Sequence, residues 1–305
     1  MRHAEEVLPV EKRLNGKIAV VAGASRGCGR GIAVALGEAG ATVYVTGRSV
    51  RGGPAPADGA PGTVEDTAEE VTRRGGRGIP VVVDHTDAGG VADLFERVRR
   101  DHGGPDILAC AVWGGNERYL DEAWNRPYWE QPAGNWAEFV DAGPYAFWLA
   151  ARAASRPMAA KASGLIVAVT EPILEDSSEE GPAPTFGTFS HLAHYGINRL
   201  VRDLGREAAA AGIAIAGLQP GFMKTERVEM HLESMGTDAR ERSGYDLAET
   251  PEYCGRAVVA LASDGNVLAK AGKLHFVADL AEEYGFTDED GRRVANFYRV
   301  MGLVK

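Results

Sequence analysis

The stretch Lys17 to Gly31, KIAVVAGASRGCGRG, constrains the fold of this 305-residue chain more than any other. Ile18 to Ala22 are apolar and partly β-branched, the pattern of a strand buried in a parallel sheet. Gly23, Gly27 and Gly29 follow, and then Ile32, Ala35, Leu36 and Ala39 recur with helical period. Strand, glycine turn and helix in this order make a phosphate-binding turn. Glycine allows the backbone to bend sharply and to approach a phosphate closely. The helix that follows presents unpaired N–H groups and the positive end of its dipole. The candidate binding residues here are Gly23, Ser25, Arg26, Gly27, Cys28 and Gly29.

The alternation continues along the chain. Strands are expected at 42–46, 79–83, 107–112, 165–169, 213–218 and 273–278, and helices at 64–74, 91–101, 142–160, 189–210 and 251–261. Residues 50–63 are rich in Gly, Pro and Ala and read as a flexible loop. Alternating strands and helices with short turns predict an α/β Rossmann fold, a doubly wound parallel sheet of about seven strands with helices on both faces. Residues 1–15 read as an N-terminal extension and 16–305 as a single nucleotide-binding and catalytic domain. A segment to about 246 reads as mobile. Trp113, Tyr119, Trp124, Tyr128, Trp129 and Trp136 crowd one stretch, a candidate wall for a flat or hydrophobic substrate. The acidic loop 175–184 reads as solvated.

Composition removes several classes. A net charge of −10 argues against a nucleic-acid partner. Cys28, Cys110 and Cys254 are scattered, which argues against disulfides and zinc and fits a reducing cytoplasm. No apolar run reaches the ~20 residues of a membrane helix. His85, His191, His231 and His275 show no metal spacing.

AGASRGCG resembles the TGxxxGxG turn of short-chain dehydrogenases/reductases, with Ala22 in place of Thr. That family binds NAD or NADP on a single Rossmann-type domain. The segments TVEDTAEEVTRRGGRGIPVVVDHTD, PYWEQPAGNW, INRL and ETPEYCGRAVVALASD followed by EYGFTDEDG resemble the group of dehydrogenase/reductase SDR family member 1 and its bacterial relatives. The resemblance spans roughly 14 to 291. It implies that Asp84, with His85 beside it, meets the adenine and that Ala111 and Val112 line the ribose, although the family's NNAG asparagines are absent. It also implies that Pro220, Gly221, Phe222, Met223 and Thr225 form the PGxxxT loop at the nicotinamide. NAD enzymes of this type carry an acid after the second strand. Here Gly47 and Arg48 stand there, with Arg26 in the glycine turn, so two guanidinium groups suit the 2′-phosphate of NADP(H).

The catalytic positions depart from the pattern. Counting back from Leu200, Leu204 and Glu207 places the family's Tyr on Ser190 and its Lys on His194. The Ser position falls on Glu171 and the helix Asn on Gly143. Tyr195 and Arg199 give a rival register, YxxxR, which rotates the apolar face of the helix. The candidate catalytic residues are therefore Glu171, Ser190, His194 and Tyr195, with His194 also a candidate for the ribose. A histidine there is expected to titrate between pH 5 and 8. The expected function is an NADP(H)-dependent oxidoreductase acting on a carbonyl, alcohol or related group of a small aromatic or hydrophobic substrate. A non-redox dehydratase, isomerase or cyclase and a non-catalytic NADP-binding protein stay open. A homotetramer or homodimer is expected from the alanine-rich helices 142–160 and 189–210.

Overall fold

The computed structural model describes residues 12–115, 127–172, 187–236, 238, 240 and 243–304. Tyr119, Trp124, the acidic loop 175–184 and most of the N-terminal extension lie outside them. Strands β1 (Ile18–Ala22), β2 (Thr42–Gly47), β3 (Arg77–Val82), β4 (Ile107–Cys110), β5 (Gly164–Val169), β6 (Ile213–Gln219) and β7 (Leu274–Phe276) form, among the described residues, one seven-stranded sheet ordered β3-β2-β1-β4-β5-β6-β7. Every pairing is parallel. Among the described residues, the α-helices are α1 (Gly27–Glu38), α2 (Val64–Arg73), α3 (Ala88–His102), α4 (Ala146–Lys161), α5 (Gly187–Ala209), α6 (Glu226–Ser234), α7 (Pro251–Ser263), α8 (Val277–Tyr284) and α9 (Phe297–Val300).

Two hydrophobic layers cover the sheet, because successive strand side chains point to opposite faces. Ala19, Val21, Val43, Val45, Ala109 and Val167 meet α1, α2, α7 and α8 on one side. Val20, Ala22, Tyr44, Leu108, Ile166 and Ile215 meet α3, α4 and α5 on the other. The strand order reverses between β1 and β4, and a ligand crevice is expected outside the carboxyl ends of the strands at that point.

Several expected boundaries move. The helix expected from 142 starts at Ala146. Ahead of it, Trp136–Tyr145 is wide-turned and kinks at Ala142 and Gly143, where Pro144 cannot donate its missing N–H. The last strand stops at Phe276, and Val277 opens α8. The segment expected to be mobile contains α6, whose N-cap Thr225 accepts from the Val228 N–H at 3.2 Å. Within the expected N-terminal extension 1–15, Leu14 is instead part of the core: it is buried and its N–H donates to the Ala39 carbonyl at 2.8 Å.

Candidate active site

The glycine turn between β1 and α1 forms as expected. Gly23 has φ +77°, and a Cβ there would lie 2.8 Å from the Ala111 carbonyl oxygen and 2.9 Å from the Val112 nitrogen. A Cβ on Gly29 would lie 2.1 Å from the Gly23 carbonyl oxygen. Ala111 and Val112 therefore press on the turn through their backbones. The Gly27 N–H, at the start of α1, donates to Glu226 Oε2 at 2.7 Å across 199 residues of sequence. A carboxylate thus stands in for an anion at the helix N-terminus, so the donor set fits a phosphate. Sequence spacing gave no hint of Glu226, because only the return of the chain after β6 brings α6 over this turn.

The end of β2 collects cations. The Arg26 guanidinium donates to the Pro61 carbonyl at 2.9 Å, the Gly62 carbonyl at 2.8 Å and Ser49 Oγ at 3.0 Å. It fastens the Gly/Pro-rich loop beside the turn. Arg48 is exposed and contributes to holding the Asp84 carboxyl below its usual range. Burial opposes that depression, and hydrogen bonds from Thr86 drive it. Across the loop, Asp58 pairs with Arg227 of α6 at 2.5 Å. Burial raises the Asp58 carboxyl, but the Arg227 and Ala60 hydrogen bonds and the Arg227 and Arg26 charges hold it low.

His85 does not reach this surface. It is 3% exposed, and its Nε2 lies 2.7 Å from Thr46 Oγ1. The Thr46 hydroxyl donates to the Val21 carbonyl, so Nε2 must carry the ring proton. Burial lowers its pKa to about 4. His85 is a neutral core pin, which corrects its expected place among the cofactor residues.

Past β5, the structure brings Glu171 and His194 together. Ser190 is 3% exposed on the sheet-facing side of α5, one turn before His194. The Glu171 N–H donates to His194 Nδ1 at 3.3 Å, which leaves the ring proton on Nε2. That nitrogen faces Glu171 Oε2 at 3.7 Å. Trp113 stacks on the imidazole with centroids 4.3 Å apart, while its edge passes the position of Gly143. Asn198 ties the cluster together: it accepts from the Thr170 hydroxyl at 2.8 Å and donates to the Glu171 carbonyl at 3.0 Å.

Desolvation pushes the His194 pKa down to about 3, assisted by the His191 charge. His194 therefore stays neutral from pH 5 to 8, and the titration expected there does not take place. Desolvation moves the Glu171 carboxyl upward. Its side chain keeps 47% of its surface toward the cleft, so water moderates the rise. Both groups are driven toward their neutral forms.

Tyr195 does not join them. It is 59% exposed on the outer side of α5, and Arg199 pairs with Asp203 instead. The register through Ser190 and His194 is the one that faces the sheet. The loop Pro220 to Thr225 closes the opposite side. The Gly221 N–H donates to Glu249 Oε2 at 3.0 Å, and Glu249 exchanges backbone bonds with Phe222 and Lys224. Met223 is buried, and its backbone bridges to Glu249. Glu249 is fully buried with Oε1 unpartnered among the described residues, and desolvation raises its pKa to about 8. Cys28 packs against the apolar layer beneath α1.

A family profile described as enoyl-(acyl carrier protein) reductase matches residues 23–276, from the glycine turn to the last strand. The chain belongs to the short-chain dehydrogenase/reductase superfamily. Within it, the chain is 34% identical over 298 residues to dehydrogenase/reductase SDR family member 1 of Mus musculus, covering 93% of this chain and 87% of that protein. The human protein of the same name is 33% identical, covering 95% and 89%. The 3-oxoacyl-[acyl-carrier-protein] reductase FabG of Escherichia coli is 27% identical, covering 85% and 95%. Among solved structures, a short chain dehydrogenase of Mycobacterium thermoresistibile superposes with TM-score 0.74 at 23% identity, over 92% of each chain. L-sorbose reductase of Gluconobacter frateurii, solved with NADPH and L-sorbose, superposes with TM-score 0.68 at 20% identity, over 88% of this chain and 97% of that one. Both share the short-chain dehydrogenase/reductase fold.

Proposed function

We propose that this protein is an NADP(H)-dependent oxidoreductase that reduces or forms a carbonyl group on a small aromatic or hydrophobic substrate. The observation that carries this reading is the pairing of an anion-filled glycine turn with a desolvated Glu171–His194 unit at the carboxyl edge of the same sheet. Bound NADP(H) supplies or accepts a hydride at its nicotinamide. Gly27 and Cys28 would hold its phosphates, Arg26 and Arg48 its 2′-phosphate, Asp84 its adenine end, and Gly221 to Thr225 its nicotinamide end. The superfamily membership and the curated reductases among its relatives support the redox class.

The residues divide the remaining work. In the reducing direction, Glu171 gives its proton to the substrate oxygen and regains one from water at its exposed edge. His194 stays neutral and directs Nε2–H toward that carboxyl. Asn198 and the Glu171 N–H hold the pair in register. Trp113 and Phe139, in edge contact at 5.5 Å, wall the pocket with apolar surface.

The test has two parts. Calorimetry is expected to show NADPH binding more tightly than NADH, with Arg48→Asp reversing the order. Equal affinities, or a preference for NADH, overturn the NADP assignment. Reduction of an aromatic aldehyde and an aromatic α-diketone, followed at 340 nm, is expected to fall about 10²-fold or more in Glu171→Gln. A second reading rests on Ser190 standing where the family resemblance implies a phenol: dehydration, isomerisation or cyclisation by Glu171 and His194. Product formed without net change at 340 nm would favour it.

We further read residues 16–305 as one domain, a homodimer or homotetramer as the assembly, and the cytoplasm as its compartment. The three free cysteines support the last. Among the described residues no helix is long and apolar enough to cross a membrane.

A further inference from the structure

The C-terminal tail lies beyond the residues that the family profile matches, yet it is built onto the site's edge of the sheet. Asn296 caps α9 by accepting from the Arg299 N–H at 3.3 Å. The Arg299 guanidinium holds both carboxylate oxygens of Asp279 on α8, at 2.5 and 2.8 Å. That two-point grip fixes the short helix against the end of β7.

The grip sets two aromatic rings at the loop expected to face the nicotinamide. The Phe297 ring lies 5.9 Å from Phe222, and a Cβ on Gly221 would stand 3.0 Å from Phe297 Cβ. The Tyr298 ring lies 5.8 Å from Phe276 and 5.6 Å from Phe297. Gln219 pairs with Phe276, and the Thr170 N–H donates to the Leu218 carbonyl, so the ends of β5, β6 and β7 stand side by side. Tyr298 thus stands at the carboxyl edge of the sheet, against the end of β7, with the Glu171 carboxylate within electrostatic reach of its phenol. Among the described residues its hydroxyl makes no hydrogen bond.

We propose that Tyr298, carried in by the tail, is the phenol of this active site, and that its hydroxyl donates a hydrogen bond to the substrate oxygen beside Glu171. The proposal rests on the oxidoreductase reading above. Ser190 cannot serve, because its short side chain is buried on the sheet-facing side of α5. Burial raises the Tyr298 pKa, and the Glu171 and Glu249 carboxylates within electrostatic reach raise it further. The phenol therefore stays protonated at neutral pH and acts as a fixed donor, while Glu171 supplies the transferred proton. A fixed donor aimed at developing negative charge is worth about 10²–10³ in rate.

The test uses the full chain labelled with 3-fluorotyrosine. Tyr298→Phe deletes one ¹⁹F resonance and so assigns it. Without cofactor, Glu171→Gln is expected to shift that resonance, and NADP⁺ to shift it again in the wild-type chain. A resonance unmoved by both overturns the placement. In turnover of the aromatic aldehyde, Tyr298→Phe is expected to lower kcat about 10²-fold while the NADPH affinity stays within about twofold. Unchanged kcat in Tyr298→Phe overturns the catalytic role, since a merely structural ring keeps its packing in phenylalanine. If the resonance shifts as expected but wild type transfers no hydride to either carbonyl probe, the oxidoreductase reading falls and takes the phenol's role with it.

Discussion

Single side chains decide how the cradle and the cluster behave. Glu226 occupies the Gly27 N–H that the proposed cofactor's phosphate would take. Any dinucleotide must displace that carboxylate and then tolerate its charge nearby. Glu226→Gln is therefore expected to tighten NADPH binding about threefold to tenfold by calorimetry. Weaker binding in that variant would mean that the carboxylate supports the closed site instead. His85 and His194 bear on acid stability. Both have folded pKa values near 4 and 3, below the ordinary 6.5, so the unfolded chain binds their protons first. Stability is full above pH 6.5 and falls as the pH drops from 6.5 toward 4. The His85 share is roughly 3 kcal/mol. Urea midpoints at pH 7 and pH 5 check this, and His85→Gln is expected to flatten the difference.

At the scale of elements, two segments that the sequence marks as loop-like are tied to each other. The loop 50–63 is held from one side by Arg26 and from the other by Arg227 of α6. Asp58 and Arg227 are 11% and 20% exposed, so removing one leaves a poorly solvated charge on the other. Asp58→Asn is expected to loosen both segments, speed proteolysis there and weaken NADPH binding without unfolding the sheet. Limited proteolysis beside a thermal melt measures the two effects separately. Equal cleavage rates in variant and wild type would show that the pair does not latch the segments. The kink at Ala142 and Gly143 is another decision of this scale. It lets Trp113 pass over Gly143 to reach His194. Gly143→Asn, whose Cβ would stand 3.6 Å from the Trp113 ring, is expected to disturb that stack and change tryptophan fluorescence.

Over the whole molecule, the parallel sheet leaves α4 and α5 on one outer face. Tyr145 and Trp148 stack there with centroids 6.1 Å apart, 40% and 38% exposed, and Tyr195 and Leu192 stand out from α5. Exposed aromatics of this size suit a symmetric contact with a second copy. Light scattering at micromolar concentration is expected to report twice or four times the 32.4 kDa chain. A monomer at that concentration refutes the assembly. The sequence by itself determined the strand, glycine turn and helix, the alternation that builds the doubly wound sheet, and the register that puts Ser190 and His194 on one face of α5. These are local, since periodicity and backbone sterics act over a few residues. It could not determine that His85 is buried against Thr46, or that desolvation under Trp113 removes the titration of His194. Nor could it reveal that Glu226 takes the Gly27 N–H and that Tyr298 returns from the tail to Phe276 at the end of β7. Those contacts join residues from distant parts of the chain, and desolvation depends on what packs around a group in space, so only the tertiary structure could set them.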